Sequence, residues 1–246
     1  MPNPIFTQEL VVTDTEIDFS GRMTMQALMT CFQNIAGLHA SSLGLGFEPL
    51  RKLDLAWVLV KTCIKIDAPP ARGQRIKLTT WPGTTRRCYY YRYYTVEDMA
   101  GNRLCACSSV WVIINTKTRD LFFDREGVLS LPIPPGLEPP VELPKRLKFP
   151  ETPDETLTRR PQYSEIDINQ HLNNVKYLAW ICDMVGYERF EKFYLSRLYI
   201  QYSSEIKPHD TVVLSRYHED GGELFQGVNK DGQTHFQAQL HWTPLG

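Results

Sequence analysis

Two stretches of helical periodicity, each followed by four strand-like runs, constrain this 246-residue chain more than any other feature. The first puts Leu28, Cys31, Phe32, Ile35 and Leu38 on one face and stops near Gly44 and Gly46. The second puts Val175, Leu178, Ala179, Cys182 and Val185 on one face and stops near Gly186. Apolar residues recurring with helical period make an amphipathic helix, and a glycine just past the last apolar turn is a stop signal. Strand-like runs follow the first helix at 56–66, 75–80, 87–96 and 104–115, and the second at 195–206, 211–217, 223–230 and 234–243. Turn formers such as Gly221-Gly222 and Asp231-Gly232 separate them. Between the halves, 129–153 holds 8 of the chain's 17 prolines, the composition of a semi-rigid extended connection. The expectation is an α+β chain divided into 1–128, a proline-rich linker 129–156, and 157–246, with the halves related by internal duplication.

A short local match supports the duplication. Asp18-Phe19-Ser20-Gly21-Arg22-Met23 precedes the first helix much as Asp167-Ile168-Asn169-Gln170-His171-Leu172 precedes the second. The acid is in both copies, whereas the amide and imidazole are only in the second, so the second half is the better candidate for chemistry and the first for binding. In extended backbone Asp167, Asn169 and His171 share one face, roughly 7 Å apart at successive positions. Three plainer readings compete. A calcium loop needs glycine at its sixth position and glutamate at its twelfth, and here those are Leu172 and Leu178, which excludes it. A helix cap at Asn173 or Asn174 is expected but leaves Asp167, Asn169 and His171 without a role. A core histidine with satisfied hydrogen bonds fits His171 as well as a reactive one does on this segment alone.

Charge and cysteine usage exclude several classes. A net charge of −1 and a pI near 6.6 give no global basic field for nucleic acid. Local basic clusters at Arg51-Lys52, Arg86-Arg87, Lys145-Arg146 with Lys148, and Arg159-Arg160 are ordinary solvated faces that could together receive an acidic partner. None of the six cysteines forms a Cys-x-x-Cys pair or has histidine at zinc spacing, so reduced core thiols and no metal or cofactor are expected. No signal or transit peptide is legible at the N-terminus, and no apolar run approaches the roughly 20 residues of a membrane span. A cytoplasmic location is therefore expected. In the tract 86–94, alternation puts Cys88, Tyr90, Arg92 and Tyr94 on one strand face and Arg87, Tyr89, Tyr91 and Tyr93 on the other, as in a half-buried strand.

The run Asp167-Ile-Asn-Gln-His-Leu-Asn-Asn-Val-Lys-Tyr177 resembles the Asp-x-Asn-Gln-His-x-Asn-Asn-x-Lys-Tyr signature of the acyl-acyl carrier protein (ACP) thioesterases. Leu55-Ala-Trp57-Val58, Ser108-Ser109-Val110-Trp111-Val112 and Tyr202-Ser203-Ser204-Glu205 extend the match from about Ile5 to Trp242. The resemblance implies two tandem hotdog domains, each a curved antiparallel sheet around a central helix, here 24–42 and 174–187. It implies an acyl chain bound in the N-terminal hotdog and catalytic Asp167, Asn169, His171 and Glu205 in the C-terminal one, with Glu205 on the strand after the second helix. The implied partner is ACP carrying a fatty acyl thioester, with no nucleic acid, no cofactor and room for a homodimer. Some plant members have Cys after the glutamate, where this chain has Ile206. A provisional register puts Lys65 of the first half opposite Glu205.

Thioester hydrolysis then needs a nucleophile, oxyanion donors and a route for the thiolate to leave. Cys182 lies eleven residues beyond His171, about 16 Å along a helix and out of hydrogen-bond reach. No Gly-x-Ser-x-Gly elbow exists. Water activated by His171 and Glu205 is therefore favoured, with the choice of base left open. Asn169 would orient water or the carbonyl, Asp167 would fix the imidazole or Asn169, and backbone N–H groups around His171–Asn174, Asn173 and Asn174 above all, would face the oxyanion. Arg86 and Arg87 are candidates for docking ACP acids or the phosphopantetheine phosphate, and tract rings for shaping an acyl tunnel. A hotdog acyl-CoA thioesterase and a non-catalytic acyl-binding hotdog are the alternatives.

Overall fold

The structure, a computed structural model, describes residues 3–124, 127 and 129–245. It divides into two compact units, 1–142 and 143–246. In the first, β1 (Phe6–Val11) is followed by helix α1 (Met25–Ser42), short helix α2 (Phe47–Arg51) and strands β2 (Leu55–Ile66), β3 (Arg75–Pro82), β4 (Tyr90–Asp98) and β5 (Arg103–Asn115). In the second, β6 (Glu155–Arg159) is followed by α3 (Asn174–Val185), short α4 (Tyr187–Lys192), β7 (Phe193–Tyr202), β8 (Val212–Glu219), β9 (Gly222–Asn229) and β10 (Thr234–Pro244).

The strands of the first unit lie in the order β1-β3-β4-β5-β2 and those of the second in the matching order β6-β8-β9-β10-β7, with every pairing within a unit antiparallel. Each unit is a hotdog, and the duplication inferred from the sequence is one of topology, strand for strand. β1 and β6 are the strands that periodicity did not reveal: both are short, and β6 has little buried surface to impose a pattern. β6 also overlaps the end of the expected linker. Upstream in that linker, Leu129 and Val141 are buried, and the Val141 carbonyl accepts from Ser108 Oγ at 2.6 Å. The proline-rich chain up to 142 therefore serves as the outer packing of the first unit.

Both helices start where side-chain caps place them. Thr24 accepts from Ala27 N–H at 3.1 Å, and Asn173 accepts from Val175 N–H at 3.0 Å. α3 stops at Gly186, whose φ of 86° no β-carbon favours. The buried faces differ from the expected ones by a fraction of a turn. In α1, Leu38 is exposed and His39 is fully buried. Arg92 can only donate, so His39 Nδ1 accepts from it at 3.1 Å, and Nε2–H donates to the Asn3 carbonyl at 3.0 Å. Burial holds this imidazole below its ordinary pKa, and the Arg92 charge adds to the effect. In α3, Tyr177, Trp180, Ile181 and Met184 fill the core and leave Ala179 and Cys182 partly exposed. Nearly every residue of that helix is apolar, and the larger side chains take the inner positions because they bury more surface. In the tyrosine tract Cys88, Tyr90, Arg92 and Tyr94 are all buried, and the alternation holds as far as Tyr91, after which Tyr93 on the other face is buried as well.

Candidate active site

The loop from 165 to 173 is a closed backbone device. Asp167 N–H donates to the His171 carbonyl at 2.9 Å and Gln170 N–H to the Asp167 carbonyl at 3.0 Å, with Gln170 at a φ of 63°. The Asp167 carboxylate accepts from the backbone N–H of Asn169 at 2.8 Å and of His171 at 3.2 Å. Asp167 thus fixes the backbone that carries the imidazole: it holds Asn169, as expected, through the main-chain N–H, and its bond to His171 goes to the main chain and not to the ring. Glu165 anchors the start of the loop, accepting from the buried Trp180 Nε1 at 2.8 Å.

The first unit builds the same loop. Asp18 N–H donates to Arg22 O, Gly21 N–H to Asp18 O, and the Asp18 carboxylate takes Ser20 N–H. Gly21 at a φ of 75° stands where Gln170 does. Arg22 occupies the place of His171 and Ser20 that of Asn169. The shared geometry is the acid-centred turn, and the acid performs the same backbone task in both copies.

His171 and Glu205 are brought together, Nε2 to Oε2 at 3.1 Å, with side chains 20% and 33% exposed. Glu205 lies beyond the end of β7, in the turn after Tyr202, and not on the strand as expected. That turn is pinned from several sides. Ser203 and Ser204 N–H donate to the His235 carbonyl at 2.8 and 3.2 Å, and the Ile206 carbonyl accepts from Leu172 N–H at 2.8 Å. The backbone at Ile206 also hydrogen-bonds the buried Tyr177 hydroxyl, whose pKa burial raises, with the charges of Glu205 and Asp167 adding to it. In the first unit Met23 N–H donates to the Pro70 carbonyl at 2.7 Å as Leu172 does to Ile206. Pro70 therefore answers to Ile206 and Pro69 to Glu205. The provisional Lys65 register was wrong; Lys65 lies within β2 and pairs with Asp67 at 2.7 Å.

The oxyanion assignment also needs correction. The N–H groups of His171, Leu172 and Asn173 are already spent on Asp167, Ile206 and Glu165, the last at 2.9 Å. Of the four N–H groups from His171 to Asn174, that of Asn174, at the first turn of α3, has no acceptor among the described residues, as helix geometry demands of an N-terminal donor. The Asn169 side chain is exposed and makes no hydrogen bond among the described residues. Arg86 and Arg87 are exposed in a turn before β4, with Arg87 at a φ of 58°.

Family models of the acyl-ACP thioesterase N-terminal domain and C-terminal domain match residues 3–123 and 150–244. The chain belongs to the acyl-ACP thioesterase family. It is similar to a solved acyl-ACP thioesterase from Bacteroides thetaiotaomicron at 26% identity, with a TM-score of 0.87 and 98% of each chain covered. A chloroplastic acyl-ACP hydrolase of Cuphea viscosissima is 31% identical over 85% of this chain and 54% of its own length. A chloroplastic dodecanoyl-ACP hydrolase of Cinnamomum camphora is 26% identical over 98% of this chain and 68% of its own. The chain thus spans 54% and 68% of the length of these two curated relatives. Among its described residues no helix is long and apolar enough to cross a membrane.

Cysteine placement bears on whether a thiol of this chain could serve as a nucleophile. None of the six cysteines is in a disulfide, and all but Cys182 are buried. Burial pushes the Cys31 thiol up to about 11 and raises Cys105 and Cys107 further. These thiols stay protonated and inert at neutral pH. Incubating the native protein with iodoacetamide is expected to leave thioester cleavage unchanged; rapid loss of activity on alkylation would restore a cysteine nucleophile.

Proposed function

We propose that this thioesterase hydrolyses fatty acyl-ACP, releasing free fatty acid, by direct attack of water at the His171–Glu205 pair of the second unit. The 3.1 Å contact between an imidazole and a carboxylate, both partly exposed, carries the reading. A carboxylate only accepts, so Nε2 carries the hydrogen and holds Glu205 in place. Glu205 then has a lone pair left for water. The water oxygen bonds to the thioester carbon while its proton passes to Glu205. The oxyanion meets Asn174 N–H and the positive end of α3. Collapse breaks the C–S bond, the electron pair goes to sulfur, and Glu205 returns the proton to the thiolate. Asn169 is proposed to orient the water or carbonyl from its exposed position, and Asp167 to fix the loop that presents both. The first unit has arginine and proline at the positions of His171 and Glu205 and is proposed to hold the acyl chain.

The test is thiol release from matched acyl-ACP and acyl-CoA panels. The reading expects ACP thioesters to be cleaved faster, in the cytoplasm as the site of action. Equal cleavage of both carriers would favour the acyl-CoA alternative, and cleavage of neither would leave an acyl-binding protein. The exposed Arg86 and Arg87 are proposed to meet ACP acids. Arg86→Glu combined with Arg87→Glu should raise KM for acyl-ACP about tenfold at low salt, with less effect at high salt, and leave acyl-CoA kinetics unchanged. Parallel changes on both substrates would place these residues elsewhere in function.

A further inference from the structure

We infer that His235, acting through Ser204, is a positioning residue that sets the rotamer and reach of Glu205. This rests on the reading of Glu205 as the group that activates water. β10 bulges at its start: Thr234 pairs with Val228 and Phe236 with Gly227 on β9, which leaves His235 as the extra residue. A bulge of this kind re-aims a side chain. Here it turns the His235 carbonyl onto the N–H groups of Ser203 and Ser204. It turns the ring onto Ser204 Oγ, 2.8 Å from Nδ1. Ser204 Oγ also reaches the Thr234 carbonyl at 3.2 Å. A hydroxyl has one hydrogen; donated to that carbonyl, it leaves Nδ1–H to donate to Oγ, and no buried N–H is then unpaired. His235 is 3% exposed, and its Nε2 has no hydrogen-bond partner among the described residues.

The first unit supplies an internal control. There Asp67 and Ala68 N–H donate to the Leu104 carbonyl at 2.9 and 3.1 Å, the same backbone device. Ala68 thus stands where Ser204 does, Leu104 where His235 does, and Pro69 where Glu205 does. An alanine and a leucine suffice to hold the turn. Burying an imidazole with an unpaired nitrogen costs stability, and the chain bears that cost only in the copy where a carboxylate follows. The polar pair therefore acts on Glu205: with Ser204 locked to β10, the adjoining side chain is confined to the approach that meets His171.

The experiment measures kcat and KM of the full chain on an acyl-ACP thioester. His235→Leu and Ser204→Ala, the residues of the first unit, should each lower kcat by about tenfold to a hundredfold with KM little changed, since a shift of about 1 Å costs that much in rate. The double variant should be no worse than either single, because both remove one coupled bond. His235→Asn, whose amide nitrogen falls where Nδ1 lies, should recover most of kcat, and His235→Gln, whose amide falls nearer Nε2, should not. Should His235→Leu fail to fold, Ser204→Ala at its partly exposed position carries the same expectation. Wild-type kcat in Ser204→Ala or His235→Leu beside an inactive Glu205→Gln would overturn the inference and leave the reading of Glu205 intact. Equal losses in His235→Asn and His235→Leu would reduce the pair to a structural role. A near-normal Glu205→Gln would overturn the reading and the inference together.

Discussion

Replacing Glu205 with glutamine is expected to lower kcat for acyl-ACP cleavage by about 10²- to 10⁴-fold while the protein stays folded. Glutamine keeps the size of the side chain and an oxygen that can accept from His171 Nε2. It loses the ability to take a proton from water. His171→Ala should fall in the same range for a different reason, since Glu205 keeps its basicity but loses the 3.1 Å contact that aims it. Both positions are partly exposed, so neither substitution leaves a buried group unpaired. The comparison is steady-state thiol release alongside thermal unfolding. A loss below threefold in Glu205→Gln, with an unchanged unfolding midpoint, would remove it from the chemistry. Arg22→His, which supplies an imidazole to the first unit, should create no second site, because Pro69 stands where a carboxylate would be required.

Glu223→Gln should unfold the second unit more readily than any surface substitution. The Glu223 side chain on β9 is 1% exposed and the Arg216 side chain on β8 is 10% exposed. Glu223 accepts from Arg216 Nε and Nη2, from Arg189 Nη2 at 3.4 Å, and through its other oxygen from Trp242 Nε1 at 2.9 Å. One carboxylate therefore ties β8, β9, β10 and α4. Removing its charge leaves Arg216 against a neutral amide whose N–H₂ competes with donors already present, with the half-exposed Glu155 carboxylate at 3.3 Å as a weaker, solvent-screened counter-charge. Breaking a buried pair by neutralising one member costs about 3–5 kcal/mol, or a fall in Tm of about 6–20 °C for a chain of this size. Asp14→Asn is the control. Its pair with Arg72 is also close, at 2.6 Å, but both side chains are well exposed, and water and salt screen such pairs, so the midpoint should not move. A Glu223→Gln protein as stable as the parent would mean that packing alone carries the second sheet.

The duplication and both helices were legible because burial of one face imposes a period on the sequence. The acid-centred loop was legible because Asp18 and Asp167 perform the same backbone task. The counterpart of Glu205 was not, because Pro69 and Ala68 share no side-chain chemistry with Glu205 and Ser204. The register shows only in the matching backbone bonds, from Met23 and Leu172 and from the 67–68 and 203–204 N–H groups. The strand ending at Tyr202 was overextended for a related reason, since Ser203–Ile206 carries no glycine or proline and leaves the sheet through tertiary hydrogen bonds. His235 was hidden as one position in an alternating strand, and the bulge that sets it apart depends on pairing with β9. Asn173 illustrates the opposite error: a residue correctly read as a cap was also read as an oxyanion donor, and its N–H is already committed to Glu165.

The central claim is that water attacks the thioester directly, and a single turnover in H₂¹⁸O tests it. With enzyme in excess over acyl-ACP, direct attack predicts one ¹⁸O in the released fatty acid and none in the peptide carrying Glu205. If the Glu205 carboxylate were itself the nucleophile, an acyl anhydride would form, and water attacking its glutamyl carbonyl would leave ¹⁸O in Glu205 and an unlabelled acid after the first turnover. Label in the Glu205 peptide would contradict the account.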